Sequence, residues 1–93
     1  MKARAHLYVS GLVQGVFFRW QTKKAADKHN VKGWVRNLRA GKVEAVLEGE
    51  AEAVKKVIDF CSEGPSHAKV KQMQVEWQNY KNEFHNFSIK NTL

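Results

Sequence analysis

Residues 2–10 alternate without interruption, Ala3, Ala5, Leu7 and Val9 against Lys2, Arg4, His6, Tyr8 and Ser10, and a period of two dictates a strand with one buried face. The alternation ends at Gly11. Gly11 and Gly15 bracket a short loop, after which Phe18 to Asn30 contains no Gly or Pro and is rich in Lys, Gln and Ala, which predicts a helix. Its apolar face is thin (Phe18, Thr22, Ala25, Ala26), so this helix must lean on a neighbour.

Val31 to Arg39, carrying Trp34, Val35 and Leu38, and Lys42 to Glu48, where Val43, Ala45 and Leu47 alternate with Glu44, Val46 and Glu48, are separated only by Ala40-Gly41. That is a β-hairpin. From Glu50 to Glu63 the apolar residues Val54, Val57, Ile58 and Cys61 fall at helical spacing, Glu50 and Glu52 lead, and Gly64-Pro65 stops the helix. Ala68 to Trp77 reads as a strand with an irregularity around Gln72 to Gln74, and a short further strand holds Phe84, Phe87 and Ile89. The order predicts an α+β, ferredoxin-like βαββαβ sandwich, with two helices on one face of a mostly antiparallel sheet and a short extra C-terminal strand. Residues 1–93 are enough for one domain and leave no chain for a second core.

Several chemistries lose their footing on this inventory. Cys61 is the only cysteine, so no internal disulfide can form, and its place on the apolar stripe of the second helix marks it as a core residue. His6, His29, His67 and His85 show no metal-ligand spacing, so no metal site is expected. No apolar run has the length of a signal peptide or a membrane span, and a soluble cytoplasmic protein is the expectation. The three Trp, two Tyr and five Phe are expected mostly in the core. A net charge of +7, from 16 basic and 9 acidic residues, favours anionic partners without choosing among them.

The candidate chemistry lies at the start of the first helix. A helix start leaves about four backbone N–H groups without partners, commonly met by a Ser, Thr, Asp or Asn cap and by acids in the first turn. This one has neither, and Arg19 stands where the helix dipole favours an acid. Glycines allow the positive φ angles that turn successive N–H groups into a concave nest, and a guanidinium supplies a planar fork of donors that suits phosphate. Two readings of these residues remain: an oxyanion cradle, or a tight strand–helix connection with a solvated arginine.

Gly11-Leu12-Val13-Gln14-Gly15-Val16-Phe17-Phe18-Arg19 resembles the acylphosphatase signature G-x-V-Q-G-V-x-F-R at every fixed position, and Gly33-Trp34-Val35-Arg36-Asn37 resembles that family's second block. Similarity continues through Gly41-Lys42-Val43-Glu44, Gly64-Pro65 with Ala68 and Val70, and Phe87-Ser88-Ile89-Lys90. Ala40 departs from the family's common Asp, and Ser66-His67 from its frequent second proline. The resemblance implies an enzyme that hydrolyses small acyl phosphates, with inorganic phosphate as product and inhibitor. It implies Arg19 as the phosphate-binding arginine, with backbone N–H groups of Gln14, Gly15, Val16, Phe17 and Phe18 completing the cradle. Asn37 corresponds to the asparagine that orients the attacking water. No cofactor is implied, and a free-standing monomer is expected.

Two other classes share parts of this pattern. RNA-recognition domains have the same element order and are basic, but they carry aromatics on both central strands, whereas Lys42 to Glu48 has no aromatic and two glutamates. Non-catalytic acylphosphatase-like modules occur within larger proteins. The chain starts with Met1 and stops just past the last strand, which favours an independent enzyme over such a module.

Overall fold

The alternating residues of the first strand set one side of the core, and the remaining elements are arranged to cover it. The computed structural model describes residues 1–93. The elements run β1 (Lys2–Leu12), α1 (Phe18–Lys28), β2 (Lys32–Asn37), β3 (Val43–Glu50), α2 (Ala51–Glu63), β4 (Lys69–Gln78) and β5 (Phe87–Ile89). They form one five-stranded sheet in the order β4-β1-β3-β2-β5. β1 pairs antiparallel with β3 and β4, β2 pairs antiparallel with β3, and β5 lies parallel to β2. This is the ferredoxin-like arrangement expected from the element order, and the short last strand makes the sheet mixed.

Register does the sorting. Ala5 faces Leu47, Leu7 faces Ala45 and Val9 faces Val43, so apolar residues of adjacent strands stand side by side. Phe18 and Ala26 of α1 and Val54, Val57 and Cys61 of α2 close over them in one cluster. Each fully buried Val, Leu or Phe contributes about 1.5–3 kcal/mol. The thin face of α1 is sufficient because the helix packs against β2, β5 and α2 together.

Several element ends differ by a few residues from the sequence expectation, and two of them have a clear local reason. α1 stops at Lys28 rather than Asn30, because Asn30 adopts φ 57° and the Val31 N–H donates back to the Ala26 carbonyl at 2.8 Å. The Asn30 N–H meets the Asp27 carbonyl at 3.2 Å, and the two bonds close the helix end with an asparagine in the left-handed region. β2 ends at Asn37 rather than Arg39, because Leu38 turns its N–H to the Lys42 carbonyl at 2.8 Å and starts the hairpin loop. The irregularity expected near Gln72 lies one residue earlier: Ser10 faces Gln72 but Gly11 faces Val70, leaving Lys71 as the extra residue. A side chain at Gly11 would place Cβ 2.1 Å from the Lys69 carbonyl oxygen, so only glycine fits against this bulge.

The face without helices is more buried than its alternation implied. Arg4 is 8% exposed and Glu48 2% exposed. Arg4 Nη1 lies 3.2 Å from Glu48 Oε2 and 2.8 Å from Glu83 Oε1, and the backbone N–H groups of Lys81 and Glu83 donate to Glu48 at 2.7 and 2.9 Å. The segment after β4 thus folds over the sheet to cover an ion pair. Burial pushes the Glu48 carboxyl up, but the two backbone donors and Arg4 outweigh it and hold it below the usual carboxylate range. Glu44 behaves alike, with burial opposed by hydrogen bonds from His6 at 2.6 Å and Arg36 at 2.7 Å.

The aromatic expectation needs correction. Phe18 and Phe87 are the only aromatic residues buried in the core, whereas Phe17, Trp20 and Trp77 are exposed. A 93-residue domain has a thin core, and Val, Leu and Ala from three strands already fill it.

Candidate active site

Three apolar pegs fix the loop between β1 and α1. Val13 and Phe18 are buried, and Val16 packs partly buried against the same core. The residues between them are turned outwards. Gly15 has φ 74°, and Phe17, the residue preceding α1, has φ 62° and ψ 22°. A left-handed conformation is uncommon for a bulky aromatic and costs about 1–2 kcal/mol. Positive φ at these two nearby positions curves the chain, as in an anion-binding nest.

The loop's donors have no partners within the protein. None of the backbone N–H groups from Gln14 to Phe17 donates to a protein acceptor. Phe17 provides no side-chain cap, and the first turn of α1 has no acid. Arg19, half-buried in that turn, makes no side-chain hydrogen bond or ion pair, in contrast to Arg4 and Arg36.

A cavity of about 320 Å³ opens beside this loop. Gly15, Phe17, Phe18 and Arg19 line it from the loop and α1, and Asn37 lines it from the end of β2. Arg19 and Asn37, 18 positions apart by their numbering, are thus brought to one concave surface. Asn37 Oδ1 is buried and has no hydrogen-bond partner, the only such side-chain atom in the protein. An unmet buried acceptor costs about 1–3 kcal/mol, and Asn37 carries this one at the cavity wall.

Of the residues singled out from the sequence, Gln14 and Val16 do not line the cavity. Val16 is a peg. The Gln14 side chain leaves the loop and donates from Nε2 to the carbonyls of Leu38 at 2.7 Å and Lys42 at 2.9 Å. This brace was not read from the sequence, although a fixed Gln between two glycine-flanked positions was visible in the signature. Ile89 and Trp20, also in the lining, were missed as well: Trp20 lies just past the end of the first block, and Ile89, although in the closing block, carries no polar group that would suggest a role. Cys61 lies elsewhere, packed in the core, and burial pushes its thiol up to about 12, which removes it as a nucleophile.

Residues 5–89 match the family model described as Acylphosphatase. The chain belongs to the acylphosphatase family. It is 56% identical over 87 residues to an acylphosphatase of Pyrobaculum calidifontis, covering 92% of this chain and 79% of that protein. It is 52% identical over 91 residues to one from Pyrobaculum islandicum, covering 97% of this chain and 96% of the relative. Among solved structures, an acylphosphatase from Bacillus subtilis superposes with a TM-score of 0.91 at 33% identity, covering 97% of this chain and 99% of the other. The enzyme expected from the two sequence blocks is therefore borne out. No helix is long and apolar enough to cross a membrane.

Proposed function

We propose that the chain hydrolyses the carboxylic–phosphoric anhydride of small acyl phosphates, using Arg19 and the Gln14–Phe18 backbone to hold the phosphate and Asn37 to hold the water. The observation that carries this reading is that Asn37, whose buried Oδ1 has no partner, lines the same cavity as an unpaired Arg19. The family supports the substrate class.

Phosphoryl transfer proceeds through a loose, in-line transition state with charge spread over the equatorial oxygens, so positioning and electrostatic stabilisation supply most of the catalysis. The guanidinium and the inward N–H groups stabilise those oxygens. The Asn37 carboxamide accepts one hydrogen of the water through Oδ1 and aims its lone pair at phosphorus, but it cannot remove a proton. A phosphate oxygen of the substrate takes that proton as the new P–O bond forms. The bond from phosphorus to the acyl oxygen breaks, and a carboxylate leaves with its electron pair. Its low proton affinity makes an acid catalyst unnecessary.

Inorganic phosphate, the product, occupies the same cradle and inhibits competitively. Every group in this scheme comes from one chain, so a monomer suffices. The RNA-binding alternative fares worse at the helix-free face, where the central strand β3 has no aromatic to stack a base and its Glu44 and Glu48 are tied up with Arg36 and Arg4. The deciding assay compares turnover of acetyl phosphate with that of a phosphomonoester. Hydrolysis of the anhydride alone is expected, and hydrolysis of neither would overturn the proposal.

A further inference from the structure

A single hydrogen bond joins α1 to the sheet, and it comes from a side chain. Lys23 Nζ donates to the Phe87 carbonyl of β5 at 3.0 Å, and the same ammonium meets Asp27 Oδ2, one turn further along α1, at 3.0 Å. The hydroxyl of Thr22, buried on the inner side of the helix, turns back to the Phe18 carbonyl at 2.8 Å and reaches no strand.

The acceptor lies on the free edge of the sheet. β5 is the outermost strand beside β2; the Gly33 N–H donates to the Asn86 carbonyl at 3.0 Å, and the Lys90 N–H donates to the Val35 carbonyl at 2.9 Å. Alternate residues of β5 therefore turn their hydrogen-bonding groups towards β2, and Phe87 turns its carbonyl the other way, where no strand receives it. Lys23 meets that carbonyl from the helix.

Packing alone holds α1 loosely along its axis. Its buried residues are Phe18, Thr22 and Ala26, so a single large side chain, in the first turn, interlocks with the core, and the two small ones offer little to resist sliding. Arg19 makes no side-chain bond within the protein, so the placement of the helix is what aims it at the cavity. Lys23 stands four positions after Arg19, on the same side of the helix.

We infer that Lys23 is a positioning residue. By tying α1 to the Phe87 carbonyl it fixes the helix along its axis, and so sets Arg19 and the N–H groups of the helix start relative to Asn37 on β2, the strand that β5 pairs with. Lys23 does not line the cavity, so it acts through α1 rather than on the phosphate itself. Its effect on turnover rests on the hydrolase reading above, whereas its effect on phosphate affinity does not.

The test measures calorimetric affinity for inorganic phosphate, together with kcat and KM for acetyl phosphate, in Lys23→Met, Lys23→Arg and Asp27→Asn. Lys23 is 38% exposed, and methionine keeps its apolar stem, so the variant folds while losing the donor. In Lys23→Met the phosphate dissociation constant rises about threefold and kcat falls about tenfold, and Lys23→Arg, which can still donate, recovers most of both. Asp27→Asn breaks only the exposed ion pair and stays within about twofold of wild type. The Lys23→Met deficit persists at about 1 M salt, where the Debye length is only about 3 Å and a field effect of the ammonium would be screened. Wild-type affinity and kcat in Lys23→Met, a deficit that disappears in salt, or an Asp27→Asn variant as impaired as Lys23→Met would each overturn the positioning role. Phosphate affinity that follows Lys23 in this way, in a protein that turns over no acyl phosphate, would keep the positioning role and remove the hydrolase reading.

Discussion

Gln14 and Leu38 are joined across the site: Nε2 of Gln14 donates to the Leu38 carbonyl at 2.7 Å, and Leu38 directly follows Asn37 in the chain. A second bond from the same nitrogen reaches the Lys42 carbonyl at 2.9 Å, on the other side of the hairpin loop. The amide therefore fastens the loop that carries the phosphate donors to the strand end that carries Asn37. A displacement of about 1 Å between phosphate and water is enough to cost a hundredfold in rate.

Gln14→Ala should fold, since the side chain is only partly buried, and should lose about tenfold to a hundredfold in kcat with a smaller change in KM. Gln14→Glu should be no better, because a carboxylate has no hydrogen to donate to the two carbonyls. Steady-state kinetics on acetyl phosphate checks both, and wild-type kcat in Gln14→Glu would show that the brace does not set the geometry.

Arg19→Ala and Asn37→Ala should each fold with no loss of thermal stability and lose about 10²–10³ or more in kcat/KM. Arg19→Lys should recover little, because an ammonium cannot present two parallel donors to one phosphate. For Asn37→Ala the unmet Oδ1 disappears, so a small gain in stability accompanies the loss of rate. Full activity in either alanine variant would remove the site assignment.

Acid should weaken the fold through Glu48. Its carboxyl is held below its ordinary value in the folded state, so its stabilisation is complete above the unfolded value of about 4.3 and is lost as pH falls through the folded value. Glu44, shifted in the same direction, adds to the effect. Glu48→Gln should cost about 3 kcal/mol at pH 7 by leaving Arg4 without its buried partner, and the gap to wild type should shrink towards pH 3. Urea unfolding at both pH values measures this, and a gap independent of pH would contradict it.

Cys61 should resist thiol reagents in the native protein. Its thiol is 1% exposed and pushed up to about 12 by burial, so almost no thiolate is present at neutral pH. Modification by an aromatic disulfide should be slow and limited by unfolding, then complete in denaturant. Rapid modification of the folded protein would show that the α2 face opens.

Much of the fold was legible because its strongest signals are local. The alternation in β1, the apolar spacing of Val54, Val57 and Cys61, and the Gly64-Pro65 stop are each decided within a few residues, and all three survive in the structure. Helix and strand ends were less legible where backbone hydrogen bonds decide them, as at Asn30 and Leu38. The polar residues of β1 misled for a different reason. Alternation states which residues share a face, but not whether a later segment will cover that face, and residues beyond β4 bury Arg4 and Glu48.

The sequence by itself determined the strand–loop–helix with an uncapped, acid-free start and Arg19 in its first turn, because capping and dipole preferences are properties of adjacent residues. It also determined the family, through two blocks of fixed residues. Only the tertiary structure decided that Asn37 shares a cavity with Arg19, that Gln14 braces the two, and that Phe17, Trp20 and Ile89 face the same space. Those relationships depend on how β2 is placed between β3 and β5 and how α1 packs across it, and long-range strand pairing leaves no mark in the spacing of any single segment.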